Sequence, residues 1–116
     1  MSNFLRIGLL FVLVCSLEVS AGCIASNCSG KGSYVVNSIY PNGTGKVYLE
    51  MPGDERENLD CTLVEGRFVT LHKDHTFFSE IYSTILTSMV SDKNLIVRVH
   101  TGTSDCELSY VRMYAN

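Results

Sequence analysis

The sequence predicts a small α+β domain, mainly β, held by disulfides. Three observations carry this. An apolar stripe of helical period runs through residues 76–91, five runs of strand character surround it, and four cysteines follow an export-type leader.

Residues 1–21 read as a signal peptide. Arg6 supplies the positive start, and an almost unbroken apolar run from Ile7 to Leu17 follows. Val19-Ser20-Ala21 then has the small-residue pattern of a cleavage site before Gly22. The run is too short to cross a hydrocarbon core of about 30 Å as a helix. Ser20-Ala21-Gly22-Cys23 looks like a bacterial lipobox, so lipidation at Cys23 is the alternative; Ser20 stands where that motif has an aliphatic residue. Cleavage and export to the periplasm or medium is the expectation.

Residues 22–116 then form a single domain. A chain of this size buries a modest share of its surface, so covalent support is useful. Cys15 leaves with the leader, and Cys23, Cys28, Cys61 and Cys106 remain. An even number in an exported chain implies two disulfides, with three pairings open. Cys23–Cys28 is the preferred one, as a tight local loop, which leaves Cys61–Cys106. The net charge is −3 and the basic residues are scattered singly, so neither nucleic acid nor an anionic membrane is an expected partner.

Residues 22–31 are small and polar and read as a loop. Residues 33–40, with Tyr34, Val35, Val36, Ile39 and Tyr40, read as a first strand. Pro41-Asn42-Gly43-Thr44-Gly45 is concentrated turn chemistry, and residues 46–51 return as a second strand with Val47, Leu49 and Met51 on one face. Asn42-Gly43-Thr44 also matches a glycosylation sequon, although the turn is reason enough for it. Pro52 to Asp60 is an acidic loop whose carboxylates (Asp54, Glu55, Glu57, Asp60) do not follow the EF-hand spacing. Residues 61–71 read as a third strand, bent or bulged at Gly66.

Asp74 is the expected N-cap of the helix over residues 76–91. Its apolar positions are Phe77, Phe78, Ile81, Tyr82, Ile85, Leu86, Met89 and Val90. Ser79, Glu80, Ser83, Thr84, Thr87 and Ser88 make a small polar second face. Residues 95–100 alternate, with Leu95, Val97 and Val99 on one side. Thr101 to Asp105 turn the chain, and residues 106–114 alternate again, with Leu108, Tyr110 and Arg112 against Val111 and Met113. The order is strand, strand, strand, helix, strand, strand. It fits a five-stranded antiparallel OB-like barrel with one helix between strands 3 and 4, and equally an open sheet with a helix across one face.

Signatures of catalysis are missing. Gly30-Lys31-Gly32 precedes a strand instead of joining strand to helix, no Gly-x-Ser-x-Gly elbow occurs, and no cysteine stays free once pairs form. His72 and His75 flank a loop that lacks the fixed spacing of metal ligands, and His100 reads as a strand histidine. The expectation is a non-enzyme with no metal and no cofactor. Tyrosine is the suggestive residue. Tyr34, Tyr40, Tyr48 and Tyr110 are the candidate binding residues, because a strand Tyr joins a flat apolar ring to a polar tip, although strands are rich in Tyr for packing alone.

The stretches Ile81-Tyr82-Ser83-Thr84-Ile85-Leu86-Thr87-Ser88, Asn94-Leu95-Ile96-Val97-Arg98-Val99 and Asp105-Cys106-Glu107-Leu108-Ser109-Tyr110-Val111 resemble a family of small secreted bacterial proteins. In topology they are similar, more distantly, to the OB-fold B subunits of AB5 toxins of the subtilase and pertussis-like kind. That resemblance implies an exported, disulfide-bonded module that binds a cell-surface glycan or a protein and forms a homo-oligomer. In the small-protein family Ser88 corresponds to a small packing residue. No sugar-contacting motif carries over. The alternative is a small monomeric envelope or inhibitor-type protein.

Overall fold

The computed structural model describes residues 21–115; the expected leader, Ala21 excepted, lies outside the described residues. In chain order the elements are β1 (Gly22–Cys23), β2 (Asn27–Lys31), α1 (Gly32–Val35), β3 (Ser38–Pro41), β4 (Lys46–Glu50), a 3-10 turn (Arg56–Asn58), β5 (Phe68–His72), α2 (Phe78–Ser91), β6 (Asn94–Val99) and β7 (Leu108–Met113). The seven strands form two antiparallel sheets, ordered β1-β2-β6-β7 and β3-β4-β5. Between the sheets, Thr70 on β5 forms an isolated parallel bridge with Glu107, just ahead of β7, and the Thr70 N–H donates to the Cys106 carbonyl at 3.0 Å. The architecture is α+β and mainly β, and it is not a closed barrel.

Each of the five expected runs contains a strand, some much shorter than expected, and two further strands precede them. The polar stretch 22–31, expected as a loop, is a hairpin closed by the Cys23–Cys28 disulfide, and its second strand pairs along β6. Strand propensity is weak in Asn-Cys-Ser-Gly-Lys, so β6 imposes the extended form from outside. The sulfur of Cys23 is committed to this bridge, and a lipid anchor would need that same sulfur. The second disulfide joins Cys61 to Cys106, across 45 residues of chain.

The expected first strand is interrupted. Val35 and Val36 are fully buried, and residues 32–35 make one helical turn before β3 begins at Ser38. The cause is a tertiary contact. A Cβ on Gly32 would stand 2.3 Å from the backbone carbon and oxygen of Ser88, so only glycine allows the turn to lie directly on α2. The Gly32 N–H also donates to the Lys93 carbonyl at 2.9 Å. Ser88 is accordingly buried, its hydroxyl returned to the Ile85 carbonyl at 2.8 Å, so this member of the small polar face serves packing.

Helix α2 begins two residues later than expected, and Asp74 does not cap it: the N-cap is Phe77, with no side-chain cap bond. The ring of His75 acts instead, its Nδ1 accepting from the Phe77 N–H at 3.0 Å. Ile81 and Ile85 reach the core, with Phe78, Tyr82 and Met89 packed against it. Phe77 and Val90 are exposed, Val90 by 85%, so the buried stripe is rotated toward Ser88 relative to the expected one. The helix stops at Asp92, which adopts a left-handed φ of 50° and accepts a hydrogen bond from the Ser33 hydroxyl.

The core lies between the two sheets and under the helices. Leu49, Met51, Val69 and Leu71 come from one side, Leu95, Val97, Val99 and Leu108 from the other. On β7 the expected alternation fails. The register shifts between Arg98 and Val99, so Val99 faces Leu108 and Arg98 faces Tyr110. This bulge puts Leu108 and Val111 inward, three residues apart, and leaves Tyr110 exposed. The third expected strand is shorter than 61–71, since Glu65 and Gly66 both take positive φ in a tight turn that precedes β5.

Two stability predictions follow. Gly32→Ala should lower unfolding free energy in urea by about 1–3 kcal/mol, the usual cost of overpacking; a loss under half the lower figure would mean that α1 does not sit on α2 as described. Replacing Cys61 and Cys106 together by Ala should cost about 3–4 kcal/mol, since the bridge closes a long loop. Coincident urea midpoints for the wild type and the double variant would contradict that.

Candidate functional site

Cross-strand register places side chains on the outward face of β3-β4-β5, because residues directly opposite one another share a face. One row runs Tyr40, Tyr48, Thr70 and, across the bridge, Glu107. On one side of it lie Ser38, Glu50 and Phe68, and on the other Lys46 and His72. The inward rows carry Ile39, Leu49 and Val69, then Val47 and Leu71, and feed the core.

Three rings gather on the outward face. Tyr40 and Tyr48 stand 5.7 Å apart between centroids, Tyr48 and Phe68 5.7 Å, and Tyr40 and Phe68 6.2 Å, all tilted. Exposure grades across them: Phe68 is buried, Tyr48 half-buried, and Tyr40 is 50% exposed. Phe68 is thus the floor and Tyr40 the free edge of one aromatic platform. The Arg67 guanidinium lies 5.8 Å from the Phe68 ring centroid and 3.8 Å from a Glu50 carboxylate oxygen. Apolar ring faces beside an acceptor and a forked donor can stack on a flat apolar group while hydrogen-bonding hydroxyls around it.

Of the four tyrosines singled out in the sequence, Tyr40 and Tyr48 come together here. Tyr34 sits on α1 and lines a separate cleft of about 240 Å³ with Asn37 and the Pro52–Glu55 turn. Tyr110 lies on β7 under the Arg98 guanidinium, 5.7 Å from its ring centroid, and edges a groove toward α2. Phe68 was not among the candidates, and it is the ring that joins Tyr40 and Tyr48 into a platform. Its membership depends on the pairing of β4 with β5, and the only hint in the sequence is an aromatic residue after Arg67 at the start of a strand run. A larger cleft of about 470 Å³ opens over β2 and β6 near Tyr114, away from these rings and without a cluster of charged side chains.

The end of the same face is polar. His72 Nε2 lies 2.6 Å from an Asp105 carboxylate oxygen, and the ligand atoms of His72, Asp105 and Glu107 all fall within 4.8 Å of one another. His72 ends a strand and does not belong to a loop. Asp105 and Glu107 flank Cys106, which takes a left-handed φ of 46° and is tied by its disulfide to Cys61. The preceding turn is pinned as well: Thr103 Oγ1 donates to the His100 carbonyl and accepts from the Glu107 N–H. His75 does not converge with His72. Its Nε2 meets the Ser109 carbonyl at 2.8 Å while its Nδ1 holds the start of α2. In the acidic loop, Glu55 is occupied by the Cys23 N–H at 3.2 Å and the Asn58 side-chain amide at 3.1 Å.

No family model, curated protein or solved structure matches the chain. Among the described residues, no helix is long and apolar enough to cross a membrane.

His75 therefore has a structural task, joining the entry of α2 to β7. His75→Ala should cost about 1–3 kcal/mol, the range for two hydrogen bonds of which one leaves a part-buried carbonyl unpaired. Thermal unfolding would read this, and an unchanged midpoint would mean that the two bonds contribute nothing to stability.

Proposed function

We propose that the protein is an exported, non-catalytic binding module that recognises a glycan, or the glycan-like surface of a protein, through the Tyr40–Tyr48–Phe68 platform. The single observation carrying this is the convergence of three rings on one sheet face with graded exposure, bordered by Glu50 and Arg67. Stacking on such rings suits the apolar face of a sugar, and the flanking charges suit its hydroxyls. Two disulfides in a small domain support an oxidising location outside the cytoplasm.

An OB-like architecture is the finer reading, and the path of the sheets supports it. From β3 the pairing runs through β4 to β5, passes by the parallel Thr70–Glu107 bridge to the start of β7, and continues through β6 to β2. Chain continuity through α1 links β2 back to β3. On this reading β2 and β3 are halves of one first strand split by the Gly32 turn, and β4 and β5 are strands 2 and 3. OB-folds commonly bind oligosaccharides and oligonucleotides on that face, and the platform lies there.

The small polar residues on the outer surface of α2, which Val90 interrupts, favour the second reading, a small monomeric envelope or inhibitor-type protein. Thr84 and Thr87 return their hydroxyls to the helix's own carbonyls, so they offer a neighbour little. The solution mass by light scattering separates the readings. About five chains supports a toxin-B-subunit-like ring, and a clean monomer supports the second reading.

On a glycan array, Tyr40→Ala should weaken any captured ligand by roughly 10- to 100-fold, the range for losing a central aromatic anchor, with thermal stability unchanged because the ring is half exposed. Binding that survives both Tyr40→Ala and Tyr48→Ala would remove the platform from recognition.

A further inference from the structure

We propose that His72, Asp105 and Glu107 form a binding site for a divalent transition-metal ion, with zinc the best chemical match. One imidazole nitrogen and two carboxylates come from two segments, the end of β5 and the stretch around Cys106, and their ligand atoms lie within 4.8 Å of one another. All three side chains are partly buried, so solvent still reaches the cluster.

Two further features point to a ligand at this place. The Glu107 carboxylate has no hydrogen-bond or ion-pair partner among the described residues, although it is partly buried beside the His72–Asp105 pair. Next to it, Thr70 is fully buried and its Oγ1 has no hydrogen-bond partner. Thr70 is the bridge partner of Glu107 and lies two residues before His72 on β5, so its side chain points to the same face as both. Buried polar groups are nearly always paired, so the orphan Thr70 hydroxyl on this face marks a spot where a group is wanted.

The donor set selects the ion. Imidazole favours zinc and its neighbours over calcium and magnesium, which prefer all-oxygen shells. Bonds of about 2.0–2.2 Å place ligands about 3–3.5 Å apart around the ion. The His72–Asp105 pair would therefore open by under about 1 Å, and the wider pairs would close by about 1–2 Å, side-chain adjustments as the ion comes between them. Two carboxylates balance the charge of the ion, and water completes its shell. The segment is already held by the Cys61–Cys106 disulfide and the Thr103 hydrogen bonds, so two ligands are positioned before the ion arrives. The site stands whether or not the aromatic platform binds a glycan.

Isothermal titration of zinc chloride into the purified, oxidised protein, carrying no histidine tag, tests the site. One zinc per chain is expected at micromolar affinity, with a thermal midpoint that rises on zinc addition and falls back with chelator. His72→Ala and, separately, the milder Glu107→Gln should each weaken binding at least tenfold, since even groups that only support a ligand are worth that much. His100→Ala, which alters an exposed histidine outside the cluster, should leave it unchanged. The Glu107→Gln variant keeps shape and volume, so its near-UV circular dichroism should match the wild type and its loss would be one of ligation. Absence of zinc uptake, uptake equal in both variants and the wild type, or loss on His100→Ala would overturn the assignment.

Discussion

The structure depends on the seam where its two sheets meet. A three-stranded and a four-stranded sheet touch through one parallel bridge, Thr70 to Glu107, with the Thr70 amide bonded to the Cys106 carbonyl and Cys106 tied to Cys61. A single bridge is a weak join by itself, because a short pairing orders much chain for little hydrogen bonding. The disulfide shortens the unfolded chain at this place, and the apolar residues of both sheets meet beneath it. Helix α2, seated on β6, β7 and the glycine turn of α1, closes the far side of the core. Loosening the seam would separate the sheets and at the same time scatter the residues that border it.

The helix, the β3–β4 and β6–β7 hairpins and the turn at Asn42 were legible because each rests on local chemistry. Asn42 shows why: its side-chain oxygen accepts from the Thr44 N–H and hydroxyl and from the Lys46 N–H, all within four residues. Features governed by distant residues were not legible. The run Tyr34-Val35-Val36 has strand composition, yet Tyr34 and Val35 lie in a helical turn because Gly32 meets Ser88, more than fifty residues on. The start of α2 could not be placed from Asp74, because a histidine ring performs the capping and is itself anchored on β7. On β7, simple alternation missed a bulge that only the pairing with β6 reveals. The same rule covers the sites. Tyr40 and Tyr48 could be named from their residue type, whereas Phe68, Asp105 and Glu107 acquire meaning only once strand register sets them beside those tyrosines or beside His72.

The outward face of β3-β4-β5 is consequently divided. Its apolar half, around Tyr40, is held by the register of a hairpin whose turn chemistry is strong and local. Its polar half, around His72, is held by the contact between sheets and by the left-handed backbone of Cys106. Lys46, opposite His72, and Thr70, between Tyr48 and Glu107, lie where the halves meet.

The position of Cys106 between Asp105 and Glu107 couples the polar half of the face to the redox state of the chain. With both thiols reduced, Cys106 would be free of Cys61, and its two acidic neighbours would lose one of the restraints that set them against His72. The Tyr40–Tyr48 pair, carried by the β3–β4 hairpin, does not rest on that bridge. Oxidation therefore bears on one half of the surface more than on the other, and the completed face belongs to the oxidised chain.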